Sequence, residues 1–349
     1  MSATEAPASP VSPADERTTT GPGRRWGGLS ETALRNLALV GVLVVLVIIG
    51  AVTRPDLYGD PVRVRDNVFT ILEQASVIGV VTVGMTFVII GGGIDLSVGA
   101  IVALAGVWCT TVATQSYGTF GMIFTALTVG LCVGLVNGGL ISYGRLVPFI
   151  ATLAMMVAAR GLAASISGKQ TQVSENRTIN AIASTDVLGI PLLVVILAVV
   201  VAAGWVLLNR TTFGRRTVAV GGNREAARLA GINVTRHTML LYALSGLCCG
   251  IAAIMLTSLS TSAQAGAANL YELDAIAAAI IGGTLLSGGR GSIIGSLLGV
   301  LVFSTITNLF AINNLATEVQ NMVKGGIIVA AVLVQQVRFK SLTTIFART

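Results

Sequence analysis

Three long stretches of this chain carry no charge. No Asp, Glu, Lys or Arg occurs from Leu96 to Gly144, from His237 to Tyr271, or from Gly291 to Thr317. A run of about 20 apolar residues is enough to cross a bilayer as a helix. The charges are clumped instead, with fourteen in residues 1–66 and seven in 209–236. With 54% apolar and 11% charged residues, the composition excludes an ordinary soluble enzyme or nucleic-acid binder. A transmembrane β-barrel is disfavoured as well. Its strands would alternate apolar and polar residues, whereas these runs are apolar on every side. The 41 glycines suit helices in close contact, because small residues let backbones approach. The expectation is an all-α polytopic membrane helix bundle.

Residues 1–35 are rich in Pro, Ser, Thr, Gly and charge and read as a disordered cytoplasmic tail. No apolar core of a cleavable signal peptide appears in them. Residues 36–340 read as the transmembrane domain, with a cytoplasmic loop at 209–237, and 341–349 as a C-terminal cytoplasmic tail. Counting apolar runs gives about ten spans: 37–53, 68–90, 94–114, 119–142, 147–166, 190–208, 238–258, 273–287, 291–311 and 319–336. Charge sets their orientation. With the N-terminus inside, fifteen of the 22 Lys and Arg residues fall on inner segments, among them Arg17, Arg24, Arg25, Arg338, Lys340 and Arg348. Six fall outside and Lys324 lies within the last span. Cytoplasmic loops carry such an excess, so both termini are expected inside.

Two spans are irregular. Gly91-Gly92-Gly93-Ile94-Asp95-Leu96-Ser97 joins the second and third, and the eighth ends in Ser287-Gly288-Gly289-Arg290-Gly291. Gly92-Gly93-x-x-Leu96-Ser97-x-Gly99 matches Gly282-Gly283-x-x-Leu286-Ser287-x-Gly289, a weak internal repeat. Gly-interrupted apolar segments in two halves of a chain are what transporter repeats produce. Such breaks survive only where they face protein or a water-filled cavity. They are expected either to line a translocation route or to be tight packing turns. The cysteines, Cys109, Cys132, Cys248 and Cys249, show no CxxC spacing and read as small core hydrophobes. His237, the single histidine, reads as a boundary residue that cannot build a metal or catalytic site alone.

Within 209–237, Asn223 is a plausible N-cap and Gly231 a natural stop for a short helix. Ala226, Leu229 and Ala230 share one face of it at three- and four-residue spacing. That face either docks on a partner or lies on the membrane surface. Elsewhere, Glu73, Glu272, Asp274 and Glu318 are placed at outer helix starts within reach of water. Asp95 is expected to cap the third span and, with Ser97, to hold the broken backbone. Lys324 is expected to snorkel or to pair with a carboxylate on a neighbouring helix. Neutral polar groups within spans, Asn137, Asn308, Ser97, Ser287 and Thr152, are candidates for a solute route. The alternative for each is an interhelical hydrogen bond. Phe149, at the start of the fifth span, is a candidate gate.

Glu225-Ala226-Ala227-x-x-x-Gly231, in its setting from Ala219 to Val234, resembles the EAA-x-x-x-G motif of ATP-binding cassette (ABC) importer permeases. Gly92 to Gly99, Tyr271 to Ala278 with Ile281 to Thr284, and Gly288 to Ser292 resemble the ribose-type branch of that family, the branched binding-protein-dependent transport inner-membrane components. The resemblance covers about residues 67–336; the Leu-Pro that ends the motif in some importers is missing after Gly231. It implies a bacterial inner-membrane permease that passes a monosaccharide-like solute. Asn223, Glu225, Ala226, Ala227, Leu229 and Gly231 would form the helix coupled to an ATPase. ATP and Mg would be bound by that partner, since the chain has no G-x-x-x-x-G-K-[ST] loop, and no cofactor is expected here. The implied partners are a second permease copy, an ATPase with tandem nucleotide-binding domains, an exported sugar-binding protein and membrane lipid, with no nucleic acid. An ion-coupled secondary transporter, or an ABC permease for a nucleoside or signalling furanone, stays open as an alternative.

Overall fold

The computed structural model describes residues 31–346, with side chains described for 33–333. Most of the expected N-terminal tail, with Arg17, Arg24 and Arg25, and the side chains of Arg338, Lys340 and Arg348 lie outside the described residues. The elements run α1 (Glu31–Thr53), α2 (Pro55–Tyr58), α3 (Pro61–Ile90), α4 (Val98–Cys109), α5 (Val112–Gln115), α6 (Gly118–Ser142) and α7 (Pro148–Ile166). Then follow β1 (Gln172–Val173), α8 (Arg177–Ser184), β2 (Asp186–Val187), β3 (Ile190–Pro191), α9 (Leu192–Arg210), α10 (Thr212–Gly222) and α11 (Arg224–Leu229). The chain ends with α12 (Val234–Ser260), β4 (Ser262–Ala263), α13 (Tyr271–Ile281), α14 (Ile293–Ile312) and α15 (Thr317–Phe346). The short strands pair antiparallel, β1 with β4 and β2 with β3.

Seven of the described helices, α1, α3, α6, α7, α9, α12 and α14, are long and apolar enough to cross a membrane. Each of the ten expected segments coincides with a helix, but they are not ten full crossings. Helices α4 and α13 have 12 and 11 residues, or about 18 and 17 Å at 1.5 Å per residue, short of the ~30 Å hydrocarbon core. Local chemistry sets several starts. Asp60 accepts the Val62 N–H at 2.9 Å ahead of Pro61, which needs no hydrogen bond at the first helical position. Ser292 caps α14 through the Gly295 N–H at 3.2 Å. At the α1–α2 corner, Arg54 donates to both carboxylate oxygens of Asp56, at 3.0 and 2.9 Å, which holds that carboxyl at about 2. Arg54 also donates to the Ile312 carbonyl, tying this corner to the end of α14.

The bundle is layered around α3 and α12. Helices α3 and α12 are mostly buried, whereas α1 is mostly exposed. Helix α12 packs on α6, α3 and α4, while α3 also packs on α14, α9 and α13. Glycines make the α6–α12 contact. Gly130, Gly134 and Gly138 recur at four-residue spacing on α6 and face Gly246, Gly250 and Met239. A Cβ built on Gly246 would lie 2.1 Å from the Gly130 carbonyl oxygen, and one on Gly130 would lie 2.2 Å from the Gly246 oxygen. The two backbones touch, as small residues at four-residue spacing permit.

Both glycine breaks close in the same way. Gly92 (φ +80°) follows α3, where the Gly92 and Gly93 N–H groups donate to Ile89 and Val88. Gly283 (φ +86°) follows α13, where the Gly283 and Thr284 N–H groups donate to Ile280 and Ala279. This is the Schellman pattern, in which a left-handed residue satisfies the last helical carbonyls. The repeated Gly-Gly motif therefore marks two equivalent helix ends. They differ in what they separate: the first lies between a long helix and a short one, the second between a short helix and a long one.

Candidate functional site

The first break encloses a polar cluster. Asp95 Oδ1 accepts the Ser97 backbone N–H at 3.0 Å and the Ser97 hydroxyl at 2.6 Å. Asp95 Oδ2 accepts the Ser245 hydroxyl of α12 at 3.0 Å, and the Asn137 amide of α6 donates to Ser97 Oγ at 2.8 Å. The Ile94 carbonyl, released by the break, accepts Tyr242 Oη at 3.2 Å and Thr152 Oγ1 at 3.5 Å. Asp95, Ser97, Asn137, Thr152 and Ser245 are all fully buried. Four of the seven candidate route residues thus share one site, which clasps the break and is closed to solvent in this conformation. The other three lie apart. Asn308 donates to Asn67 Oδ1 at 3.0 Å, joining α14 to α3. Ser287 and Phe149 are exposed.

The 209–237 segment holds two helices where one was expected. In α11, Asn223 Oδ1 accepts the Ala226 N–H at 3.0 Å. Gly231 (φ +81°) closes the far end, with the Ile232 N–H donating to Ala227. Glu225 and Arg228 form an exposed ion pair at 3.0 Å. Ala226, Leu229 and Ala230 are exposed together, Leu229 at 79%, whereas Ala227 turns inward and is buried. The preceding α10 is moored to the bundle. Phe213 lies 6.0 Å from the Phe87 ring and 4.7 Å from His237, and Thr217 Oγ1 is 2.9 Å from His237 Nε2. His237 therefore pins α10 to α12, a role its position at a span boundary did not reveal.

A second polar site lies at the start of α13. Glu272 and Asp274 were expected to reach water, but both are buried. The loop before α13 is fixed close by, its Ala268 carbonyl and the Glu272 carboxylate both lying against Gly99 of α4. It is held by Arg160, which donates to the carbonyls of Ala265, Ala267 and Ala268 at 2.7, 2.6 and 3.3 Å. Of the two expected fates of Lys324, pairing is observed: its Nζ donates to Asp274 Oδ2 at 3.2 Å and lies 5.5 Å from the Phe303 ring centre. Beside this pair is a cleft of about 220 Å³, lined among others by Gln74, Asn269, Tyr271, Ser304 and Asn321. Lys324→Met should strand a buried carboxylate and destabilise the protein by about 3–5 kcal/mol. Asp274→Leu combined with Lys324→Met should recover most of that loss, as read from thermal unfolding in detergent. Of the cysteines, three are buried and Cys132 is exposed on α6. Among the described residues, no group of three or more His, Cys, Asp or Glu side chains is placed to hold a metal ion.

Residues 67–332 match the family described as branched-chain amino acid transport system / permease component. The chain belongs to this family. It is a multi-pass permease component of a transport system and not an enzyme. It is 40% identical over 296 residues to a ribose import permease protein of Bacillus subtilis, covering 84% of this chain and 90% of that protein. It is 37% identical over 295 residues to a ribose import permease protein of Haemophilus influenzae, covering 83% of this chain and 90% of that one. It is 36% identical over 287 residues to a galactofuranose transporter permease protein of Escherichia coli, covering 82% of each chain. No solved structure matches the chain.

Proposed function

We propose that this permease imports a monosaccharide-like solute, delivered by an exported binding protein and driven by ATP hydrolysis in a separate ATPase subunit. The observation that carries the reading is α11. A six-residue helix cannot hold itself together in water. This one is capped at both ends, moored through α10, and presents the apolar Ala226, Leu229 and Ala230 outward. An exposed apolar face of this kind fits a groove on a partner protein. Six arginines in 209–236 accompany it and, as an excess of basic residues, favour the cytoplasmic side, where ATP is. On this reading both termini are cytoplasmic and ten helices make up the bundle, α4 and α13 being half-helices. Two copies flank one pathway. The sugars named for the relatives supply the solute class. The neutral polar and aromatic groups beside Asp274 suit such a solute, and so does the hydroxyl and amide character of the Asp95 cluster.

The test is copurification of the ATPase with the permease, together with D-ribose uptake by proteoliposomes holding the full complex. Leu229→Asp should abolish both while the permease stays folded, because the charge would have to be buried in the groove. Glu225→Ala, which removes only an exposed pair, should weaken docking by a smaller amount. Gly231→Trp should also fail, since its φ of +81° suits glycine alone. Unchanged docking in Leu229→Asp would overturn the coupling role. Uptake driven by an ion gradient with the permease alone would overturn ATP drive.

A further inference from the structure

Three backbone segments meet next to α11 with no side chain between them: the end of α3 with Gly92, the last turn of α10 at Gly221, and Gly288–Gly289 ahead of α14. The Gly289 N–H donates to the Ile90 carbonyl at 2.8 Å, so the two helix breaks are bonded directly. Helix α10 is wedged against both. A Cβ on Gly221 would lie 1.8 Å from the Ile90 oxygen and 2.7 Å from the Gly289 nitrogen. A Cβ on Gly288 would lie 2.8 Å from the Gly221 oxygen and 3.0 Å from the Gly92 Cα. Gly92, Gly288 and Gly289 have φ of +80°, +84° and +75°, so they combine the bare approach with left-handed turns.

We infer that Gly221 is a positioning residue of transport, the point at which movement of the coupling helix is passed to both breaks as a single body. Contacts between side chains absorb small shifts by changing rotamer. Contacts between peptide groups have no such slack. Gly221 lies two residues before the Asn223 cap of α11, so a displaced α11 moves this junction first. From the junction, one break leads to the Asp95 cluster at the start of α4. The other leads through α13 to the buried Glu272 and Asp274 beside the cleft. One push therefore reaches both polar sites together. The inference rests on the reading of α11 as the docking helix.

The experiment uses the assembled complex of permease, ATPase and binding protein in proteoliposomes. In Gly221→Ala the added methyl should separate the segments. Copurification of the ATPase should stay near wild type, while D-ribose transported per ATP hydrolysed should fall about tenfold, the size of an ordinary coupling free energy. Gly222→Ala, where a Cβ meets nothing within 4 Å, should transport normally. Normal D-ribose per ATP in Gly221→Ala would overturn the inference. A second variant covers the case in which Gly221→Ala does not fold. Gly222→Cys with Ser287→Cys places thiols on the exposed neighbours of the contact, and the assembled complex is treated with a short bismaleimide. A junction that moves as one body keeps its transport when bridged; loss of transport on bridging would overturn the inference. Copurification reports on docking separately, so failure of the docking reading and failure of the junction are told apart.

Discussion

Gly246→Val is expected to prevent the permease from accumulating as a stable folded protein. The added Cβ would lie 2.1 Å from the Gly130 carbonyl oxygen and 3.0 Å from the Gly134 Cα. Both obstacles are backbone, so no rotamer change relieves them. Overpacking a core that can adjust costs about 1–3 kcal/mol. Here the relief requires α6 and α12 to move apart along the whole Gly130–Gly134–Gly138 ladder, so the cost lies at or above the top of that range. The loss spreads, because α12 is also the wall against which α3 and α4 pack. Gly139→Val is the control. It sits on α6, next to the glycine ladder, with nothing within 4 Å of its Cβ position, so it should melt within about 0.5 kcal/mol of wild type. The measurement is the surviving monodisperse fraction after heating in detergent. Equal survival of the two variants would show that the glycine ladder is incidental to the packing of α6 on α12.

The charge pattern made the membrane class legible, and the caps made α11 legible almost to the residue, because both signals are local. Asn223 and Gly231 act on atoms within a turn of themselves. The Gly-Gly repeat was legible for the same reason, since a left-handed helix end needs glycine wherever it occurs. The length of α13 was not. The apolar run continues through Leu285 and Leu286 after the helix has ended at Ile281, and hydropathy does not register where the hydrogen bonding changes. The polar sites were half legible. Asp95 and Ser97 are neighbours in the chain, and their clasp follows from that. Ser245 joins them across 150 residues from the middle of an apolar helix, where a serine reads as one more small residue. The surroundings of Glu272 and Asp274 come from distant parts of the chain: Arg160, more than 100 residues away, holds the loop ahead of α13, and Lys324, 50 residues on, pairs with Asp274. A position near a span end therefore gave the wrong exposure.

Asp95→Leu is expected to remove transport and to lower the stability of the permease by several kcal/mol. The leucine leaves the Ser97 N–H, the Ser97 hydroxyl and the Ser245 hydroxyl without their acceptor in a fully buried site. Each stranded group costs about 1–3 kcal/mol. It also removes the Ser245 tie between the 91–97 backbone and α12, leaving the break held there through Tyr242 on the Ile94 carbonyl, so α4 has a less firmly fixed start from which to pack on α6, α7 and α12. Asp95→Asn separates two roles of the carboxylate. Asparagine keeps an oxygen for both Ser97 donors and offers an N–H that a rotated Ser245 hydroxyl can accept. If Asp95 works as a clasp, Asp95→Asn should stay folded and retain most of its uptake, while Asp95→Leu fails in both. If Asp95→Asn folds normally yet transports as poorly as Asp95→Leu, then the charge itself takes part in the cycle, and the clasp describes only the resting state. Thermal unfolding in detergent and D-ribose uptake by the full complex, measured on the same two variants, decide between these outcomes.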